Sequence, residues 1–287
     1  MMKNNPKDLY DHDELMSRLA DIRHVALDMD GTIYMGGSLF PWTKQFLADL
    51  EAMGVGYSFL TNNPSKSIDD YLGRLAGMGI SVPRESLYTT TVATIDFLHS
   101  HLPEAKRLFL LGTPSMVSQF VDAGYESVAA DDLQRPDAVV VAFDMTLTYE
   151  RLCRAAWWVK EGVPYVATNP DRVCPTDQPT VLVDCGSLCK CIEHATGRTP
   201  DKTLGKPDPQ MLEGIKQRHG LRADQIAMCG DRIYTDIAMA TNAGAFGVLV
   251  LSGETTAEMA ALSSVCPSLT VPTLAEFGEL LKCAKGA

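Results

Sequence analysis

The chain has 287 residues, enough for two domains with a substantial core, and its 46% hydrophobic and 21% charged composition excludes both a disulfide-stapled miniature and a disordered chain. With 25 Lys and Arg against 36 Asp and Glu, a net charge of -11 and no basic block, it lacks the electrostatic footprint of a nucleic-acid-binding protein. Residues 1–21 are polar and acid-rich without an apolar centre, unlike a secretory signal, and no run approaches the roughly 18 apolar residues of a membrane span. Eight cysteines in a chain of this length then read as free thiols of a reducing compartment, and the expected location is the cytoplasm.

From Val25 onward, short apolar runs alternate with helical periodicity. VALDMD at 25–30 predicts a buried strand, Phe46, Leu47, Leu50 and Met53 lie on one helical face that stops at Gly54, YSFL at 57–60 predicts the next strand, and Ile68, Leu72 and Leu75 the next helix. This alternation is the pattern of a parallel sheet with helices on its faces. The middle repeats it, with strands expected at RLFLL 107–111, AVVVAF 138–143 and VPYVA 163–167, and amphipathic segments at 116–123 and 152–159. Beyond about residue 205 come a strand at IAMC 226–229, a helix through Ile237 and Ala240 ending near Gly244, and a strand at FGVLVL 246–251. No short-period repeat or low-complexity linker divides the chain.

The polar residues that interrupt this pattern collect at strand ends, where open parallel sheets bind ligands. The first strand ends in Asp28-Met29-Asp30-Gly31-Thr32. Two carboxylates there are costly to bury alone, and with backbone carbonyls they make the oxygen environment that suits Mg²⁺. The second ends in Leu60-Thr61-Asn62-Asn63 before a helix expected to start near Pro64 or Ser65, so a hydroxyl, side-chain amides and main-chain N–H groups could meet a phosphate. Gly205-Lys206-Pro207 supplies a lysine, and IAMC runs into Gly230-Asp231-Arg232-Ile233-Tyr234-Thr235-Asp236. Asp-x-Asp-Gly-Thr arises by chance in roughly a few chains per thousand of this length, while a lone Lys-Pro or Thr-Asn means little. Order and placement give the set its specificity.

Taken together, DMDGT at 28–32, LTNN at 60–63, GKP at 205–207 and GDRIYTD at 230–236 resemble, in order, the four motifs of the haloacid dehalogenase (HAD) superfamily of phosphohydrolases. The TNN form of the second motif, TYERL at 148–152, TNPD at 168–171, and IEHATGRTP at 192–200 followed by GKPDP are similar to the NagD-like, or para-nitrophenylphosphatase, branch. The likeness runs from about Asp21 to the end. It implies an α/β fold, a Rossmann-like core with a parallel sheet plus an inserted α/β cap domain. Spacing supports the insert independently, since the separation of 145 positions from Thr61 to Lys206 far exceeds a βα connection and holds its own strands and helices. The expected layout is a first core part over 1–86, the cap over 87–203 and a second core part over 204–287.

The resemblance also implies roles. Asp28 is the expected nucleophile, forming an aspartyl-phosphate. Asp30 would protonate the leaving alcohol and then activate water, a role that needs a pKa raised by neighbouring carboxylates. The Asp28 carboxylate, the Asp30 carbonyl and Asp231 would hold Mg²⁺, Asp236 would orient a metal-bound water or Lys206, and Thr61, Asn62, Asn63 and Lys206 would contact the phosphoryl oxygens. In the cap, Asn169, Asp171 and Arg172 could touch the leaving group, against a reading as Asx-turn and capping residues. Val183-Asp184-Cys185-Gly186-Ser187 departs from the glycine-rich turn that often precedes GS in the family.

Cys185, Cys189 and Cys191 read as structural thiols, because on a helix starting near Ser187 positions 189 and 191 diverge and no CxxC or CxxH frame exists. Trp157-Trp158 reads as cap packing or an oligomer surface rather than a base-stacking platform. The expected function is Mg²⁺-dependent removal of phosphate from a small phosphorylated metabolite, a nucleotide, sugar or related phosphomonoester, with neither nucleic acid nor membrane as partner. The resemblance also allows a homo-oligomer through the cap. A phosphomutase, a haloacid dehalogenase, a receiver-like regulatory module and a catalytically silent binding protein are the alternatives. Release of inorganic phosphate separates the first reading from a mutase or a silent binder.

Overall fold

The computed structural model describes residues 10–174 and 178–287. The described chain divides into two compact units, one of residues up to Leu60 with Leu72–Tyr88 and Lys206–Ala287, the other of Thr61–Tyr71 and Thr89–Gly205. The segment Thr61–Tyr71 thus groups with the second unit.

The first unit is built on a six-stranded sheet in the order Leu269–Val271, Phe246–Val250, Ile226–Gly230, His24–Asp28, Gly56–Thr61, Leu87–Thr89. His24–Asp28 pairs in parallel with Ile226–Gly230 on one side and Gly56–Thr61 on the other, with Asp28 opposite Leu60. Strands reached in opposite directions from a central one create a switch point, and the crevice beyond their carboxyl ends is where ligands bind in such sheets. VALDMD leaves the sheet at Asp28, because Gly31 takes a φ of +87° and the Met29 carbonyl accepts from the N–H groups of Thr32, Ile33 and Tyr34. Asp30 therefore stands beyond the strand end. Val25, Ala26 and Leu27, like Ala227, Met228 and Cys229, are buried, as expected of strands covered on both faces.

After Gly230 the chain makes a π-helical turn, Ile233–Ile237, before the α-helix Ala238–Ala243 closes on Gly244 in the left-handed conformation. Asp236 N–H and Ile237 N–H both reach the Arg232 carbonyl, at 2.9 and 3.4 Å. One extra residue is accommodated in the turn, a device that recurs at functional sites.

The second unit carries a five-stranded parallel sheet in the order Lys202–Thr203, Tyr165–Ala167, Ala138–Val141, Arg107–Leu111, Glu126–Ser127. Phe109, Leu111, Val139, Val141, Tyr165 and Ala167 form one core with Trp158 and Cys189 of the helices Tyr149–Lys160 and Cys185–Thr196. Leu108, Leu110, Ala138, Val140 and Val166 form another with Leu98, Met116 and Phe120 of Thr90–His101 and Pro114–Asp122. The period-two alternation between two buried faces explains why RLFLL and AVVV read as unbroken apolar runs.

Two helix starts differ from expectation. The helix after the second motif begins at Ile68, not near Pro64 or Ser65: Asn63 Oδ1 accepts from Ser65 N–H at 2.9 Å in an Asx turn, and Ser67 and Asp70 exchange reciprocal hydrogen bonds at the true start. The helix expected near Ser187 begins at Cys185, because Asp184 accepts the Cys185 N–H at 2.6 Å. Cys189 is then buried and Cys191 exposed, and all eight cysteines are free thiols. No helix among the described residues is long and apolar enough to cross a membrane.

Candidate active site

The carboxyl ends of the central strands of the first unit bring Asp28, Asp231 and Asp236 together, with one carboxylate oxygen of each within 4.8 Å of the others. Asp28 ends its strand and Asp231 follows Gly230 directly. Lys206 lies among them, only 4% exposed. Its ammonium bonds Asp28 Oδ1 and reaches Asp236 Oδ1 at 2.7 Å, and Asp236 Oδ2 accepts from Arg232 N–H at 3.1 Å. Between these two carboxylates the Lys206 pKa is held well above the ordinary lysine value despite burial.

Asp231 occupies a cradle made for a carboxylate. A Cβ on Gly31 would come within 2.6 Å of its Cγ and one on Gly253 within 2.5 Å, closer than real Cβ atoms approach anything. Its Oδ2 accepts from Glu254 N–H at 2.6 Å, and its carbonyl from Thr255 N–H at 3.2 Å. Ser252 Oγ donates to the Gly31 carbonyl at 2.7 Å and ties the two walls together. Asp231 Oδ1 is buried without a hydrogen-bond partner.

One ammonium does not neutralise three carboxylates. Burial first, and then the charge of Asp28, push the Asp231 carboxyl up to about 6. Burial likewise raises Asp236, to about 7, with Asp28 and Asp231 adding to the push and Lys206 opposing it. Excess negative charge, an orphaned buried carboxylate oxygen and an all-oxygen donor set fit a hard divalent cation.

Asp30 is exposed as a residue, yet desolvation of its carboxyl is the largest cause of an upward push on its pKa. Arg74 opposes that push, Asp28 adds to it, and Tyr34 and Arg232 oppose it in turn. The elevation expected from neighbouring carboxylates therefore has desolvation as its larger cause. Arg74 is itself held 4.4 Å over the Tyr34 ring and donates to the Gly36 carbonyl at 2.6 Å.

The remaining expected site residues belong to the second unit. Thr61 Oγ1 accepts from Asn63 N–H at 3.1 Å. The Asn63 side chain is engaged in its Asx turn and in a long contact from Nδ2 to Cys174 Sγ at 3.7 Å. Asn62 Nδ2 donates to Asp171 Oδ2 at 2.9 Å, joining two motifs 109 positions apart. Asn169 is fully buried. Its Nδ2 donates to Asp171 Oδ2 and Asp184 Oδ1, both at 3.0 Å. The Arg172 carbonyl accepts from Ser187 Oγ at 2.7 Å.

Sequence reasoning missed Ser252, Gly253 and Glu254. They stand where FGVLVL runs out, so the strand-end rule that singled out the other motifs applies to them as well. Arg74 carried no such signal, because it lies inside a helix, Ile68–Gly77.

Residues 25–126 match the family model described as haloacid dehalogenase-like hydrolase, and residues 203–277 a second, HAD-hydrolase-like model. The chain is 30% identical over 256 residues to the ribonucleotide monophosphatase NagD of Escherichia coli, covering 89% of this chain and 98% of that protein. The 4-nitrophenylphosphatase of Thermotoga maritima superposes with a TM-score of 0.86 at 37% identity, covering 91% of this chain and 98% of the other. The glycerol phosphate phosphatase of Mycobacterium tuberculosis, in complex with magnesium, gives 0.82 at 28% identity, covering 92% and 79%. With the motif order and the carboxylate cluster, these similarities show that the chain belongs to the haloacid dehalogenase-like hydrolases, in their NagD-like branch, and is a phosphomonoester hydrolase.

Proposed function

We propose that this protein hydrolyses a small phosphorylated metabolite with the help of Mg²⁺, through a phosphoryl group carried transiently on Asp28. The observation that carries the reading is the Asp28, Asp231 and Asp236 cluster with a single buried ammonium among its carboxylates. The Asp28 and Asp231 carboxylates and the Asp30 carbonyl would hold the ion, whose positive charge would offset the negative charge of a phosphoryl group approaching these acids. Asp28 attacks phosphorus and the bond to the leaving oxygen breaks, with Asp30 giving that oxygen its proton. Asp30 then takes a proton from water as the water attacks the aspartyl-phosphate, releasing phosphate and restoring Asp28. Lys206 holds Asp28 in place, and Thr61, with the main chain and side chains of residues 62–63, binds the phosphoryl oxygens. Relatives named for ribonucleotides and glycerol phosphate support nucleotide, sugar and polyol phosphates as the class to test.

The decisive experiment is phosphate release from a panel of such esters, with and without Mg²⁺, by the parent and by Asp28→Asn. Activity that needs both the ion and Asp28 is the expected result, since asparagine can still accept the Lys206 hydrogen bond. Multiple turnover by pure Asp28→Asn would falsify the nucleophile assignment. Transfer back to substrate without free phosphate would favour a mutase.

The reading extends to a homo-oligomer through the second unit and to a cytoplasmic location. Tyr149, Cys153 and Trp157 are exposed at a four-residue spacing along one helix, and this apolar stripe supports the first. Eight free thiols support the second. A monomeric sedimentation coefficient, unchanged in Trp157→Glu, would count against the oligomer.

A further inference from the structure

Asn62 is clamped within the second unit at three points. Its Nδ2 donates to Asp171 Oδ2 at 2.9 Å, its main-chain carbonyl accepts from the buried Thr90 Oγ1 at 3.1 Å, and its Oδ1 lies 3.0 Å from where a Cβ on Gly205 would stand. Gly205 has a φ of +74°, so both the turn before Lys206 and the close approach of Asn62 require glycine.

Asp171 is held just as firmly. Oδ2 accepts from Asn169 Nδ2 as well as from Asn62, and Asn169 continues to the buried Asp184, the N-cap of the helix Cys185–Thr196. The Asp171 carbonyl accepts from Gly186 N–H at 2.8 Å. A Cβ on Gly186 would come within 2.9 Å of that carbonyl oxygen and of the Pro170 carbonyl carbon, so the departure from the family's glycine-rich turn still keeps a glycine where two main chains touch.

We infer that Asp171 is a positioning residue for phosphate binding rather than a contact to the leaving group. A carboxylate that takes two amide N–H groups on one oxygen, and is anchored through a buried asparagine to a helix cap, is built to hold a fixed geometry. What it fixes is Asn62, and through it the 61–63 loop whose Thr61 hydroxyl is already ordered by Asn63 N–H. The inference rests on the assignment of that loop to the phosphoryl group made above.

The test separates the two roles with inorganic phosphate, which has no leaving group. kcat and KM would be measured for para-nitrophenyl phosphate, glycerol phosphate and a nucleoside monophosphate, together with inhibition by inorganic phosphate, in the parent, Asp171→Ala and Asp171→Asn. Loss of a hydrogen bond to a charged acceptor should raise KM for every ester and the phosphate inhibition constant by the same factor, about tenfold, in Asp171→Ala. Asp171→Asn keeps an acceptor oxygen for Asn62 and should recover part of that loss. Unchanged phosphate inhibition with a reordered substrate preference would overturn the inference, as would no change in either quantity. Should Asp171→Ala melt below the assay temperature, Asp171→Asn carries the test, with a smaller but still uniform rise required. A parent without Asp28-dependent phosphate release would instead sink the reading of the site.

Discussion

Gly253→Ala probes the site at its tightest point. The new Cβ would stand 2.5 Å from Asp231 Cγ and nearer still to Oδ2, where ordinary contact begins at 3.4 Å, a shortfall of at least about 0.9 Å. The carboxylate has little room to yield, because Gly31 closes its other side and Glu254 N–H holds Oδ2 at 2.6 Å. Metal ligands tolerate displacements of only about 0.2 Å, and a misplacement of about 1 Å commonly costs on the order of 100-fold in rate. Overpacking of this kind destabilises by about 1–3 kcal/mol, so the variant should stay folded with a melting point a few degrees lower. Phosphate release measured against Mg²⁺ concentration should show a higher metal requirement and a kcat about 100-fold lower. A folded Gly253→Ala with the parent's rate and Mg²⁺ requirement would refute the cradle argument.

Asp184, pushed up from 3.8 to about 6 mainly by burial, contributes stability that is complete below about pH 4 and lost as pH rises through 6. Asp184→Asn keeps the acceptor for Asn169 and Cys185 without the charge, so its unfolding free energy in urea should match the parent's at pH 4 and exceed it at pH 8, by at most about 3 kcal/mol; equal stabilities at pH 8 would contradict this. Asp231, raised to about 6, must shed its proton to meet Mg²⁺, and Asp236, raised to about 7 beside it, adds its negative charge to the site as it ionises. Calorimetric affinity should therefore climb between pH 5 and about 7 with proton release, and a flat profile would show that these carboxylates are already ionised. A thiol reagent should label Cys153, Cys191 and Cys283 in the native protein and Cys185, Cys189 and Cys229 only on unfolding; early labelling of Cys229 would show that the strand Ile226–Gly230 opens.

The longer strands were legible because each is an apolar run bounded by turn residues, and RLFLL became Arg107–Leu111 without adjustment. Two-residue strands such as Glu126–Ser127 and Lys202–Thr203 carry no such signal; neighbouring strands define them. The helix Leu274–Lys285 went unread although Thr273 and Glu276 form a capping box at its start. In the site, residue types at strand ends pointed to Asp28 and Asp231, and motif order to Lys206 on its turn, whereas the direction of the Asn62 amide depends on a partner 109 positions away. Local pattern cannot report a side chain whose orientation is decided by distant chain.

The π-helical turn at Ile233–Ile237 leaves the fourth motif intolerant of any further residue. The wide turn already takes up one extra residue, so a second has no slack to enter; each α-helical residue advances about 100°, and an insertion here would swing the chain beyond it by over a quarter turn. The helix Ala238–Ala243 would rotate with it, taking Met239 and Ala240 out of the interior where both are buried. Point changes within this stretch can be absorbed one side chain at a time, whereas a single-residue insertion would unseat the lysine's partner and the core together. Insertions accumulated by descent should therefore fall in the flanking loops and leave this stretch uninterrupted.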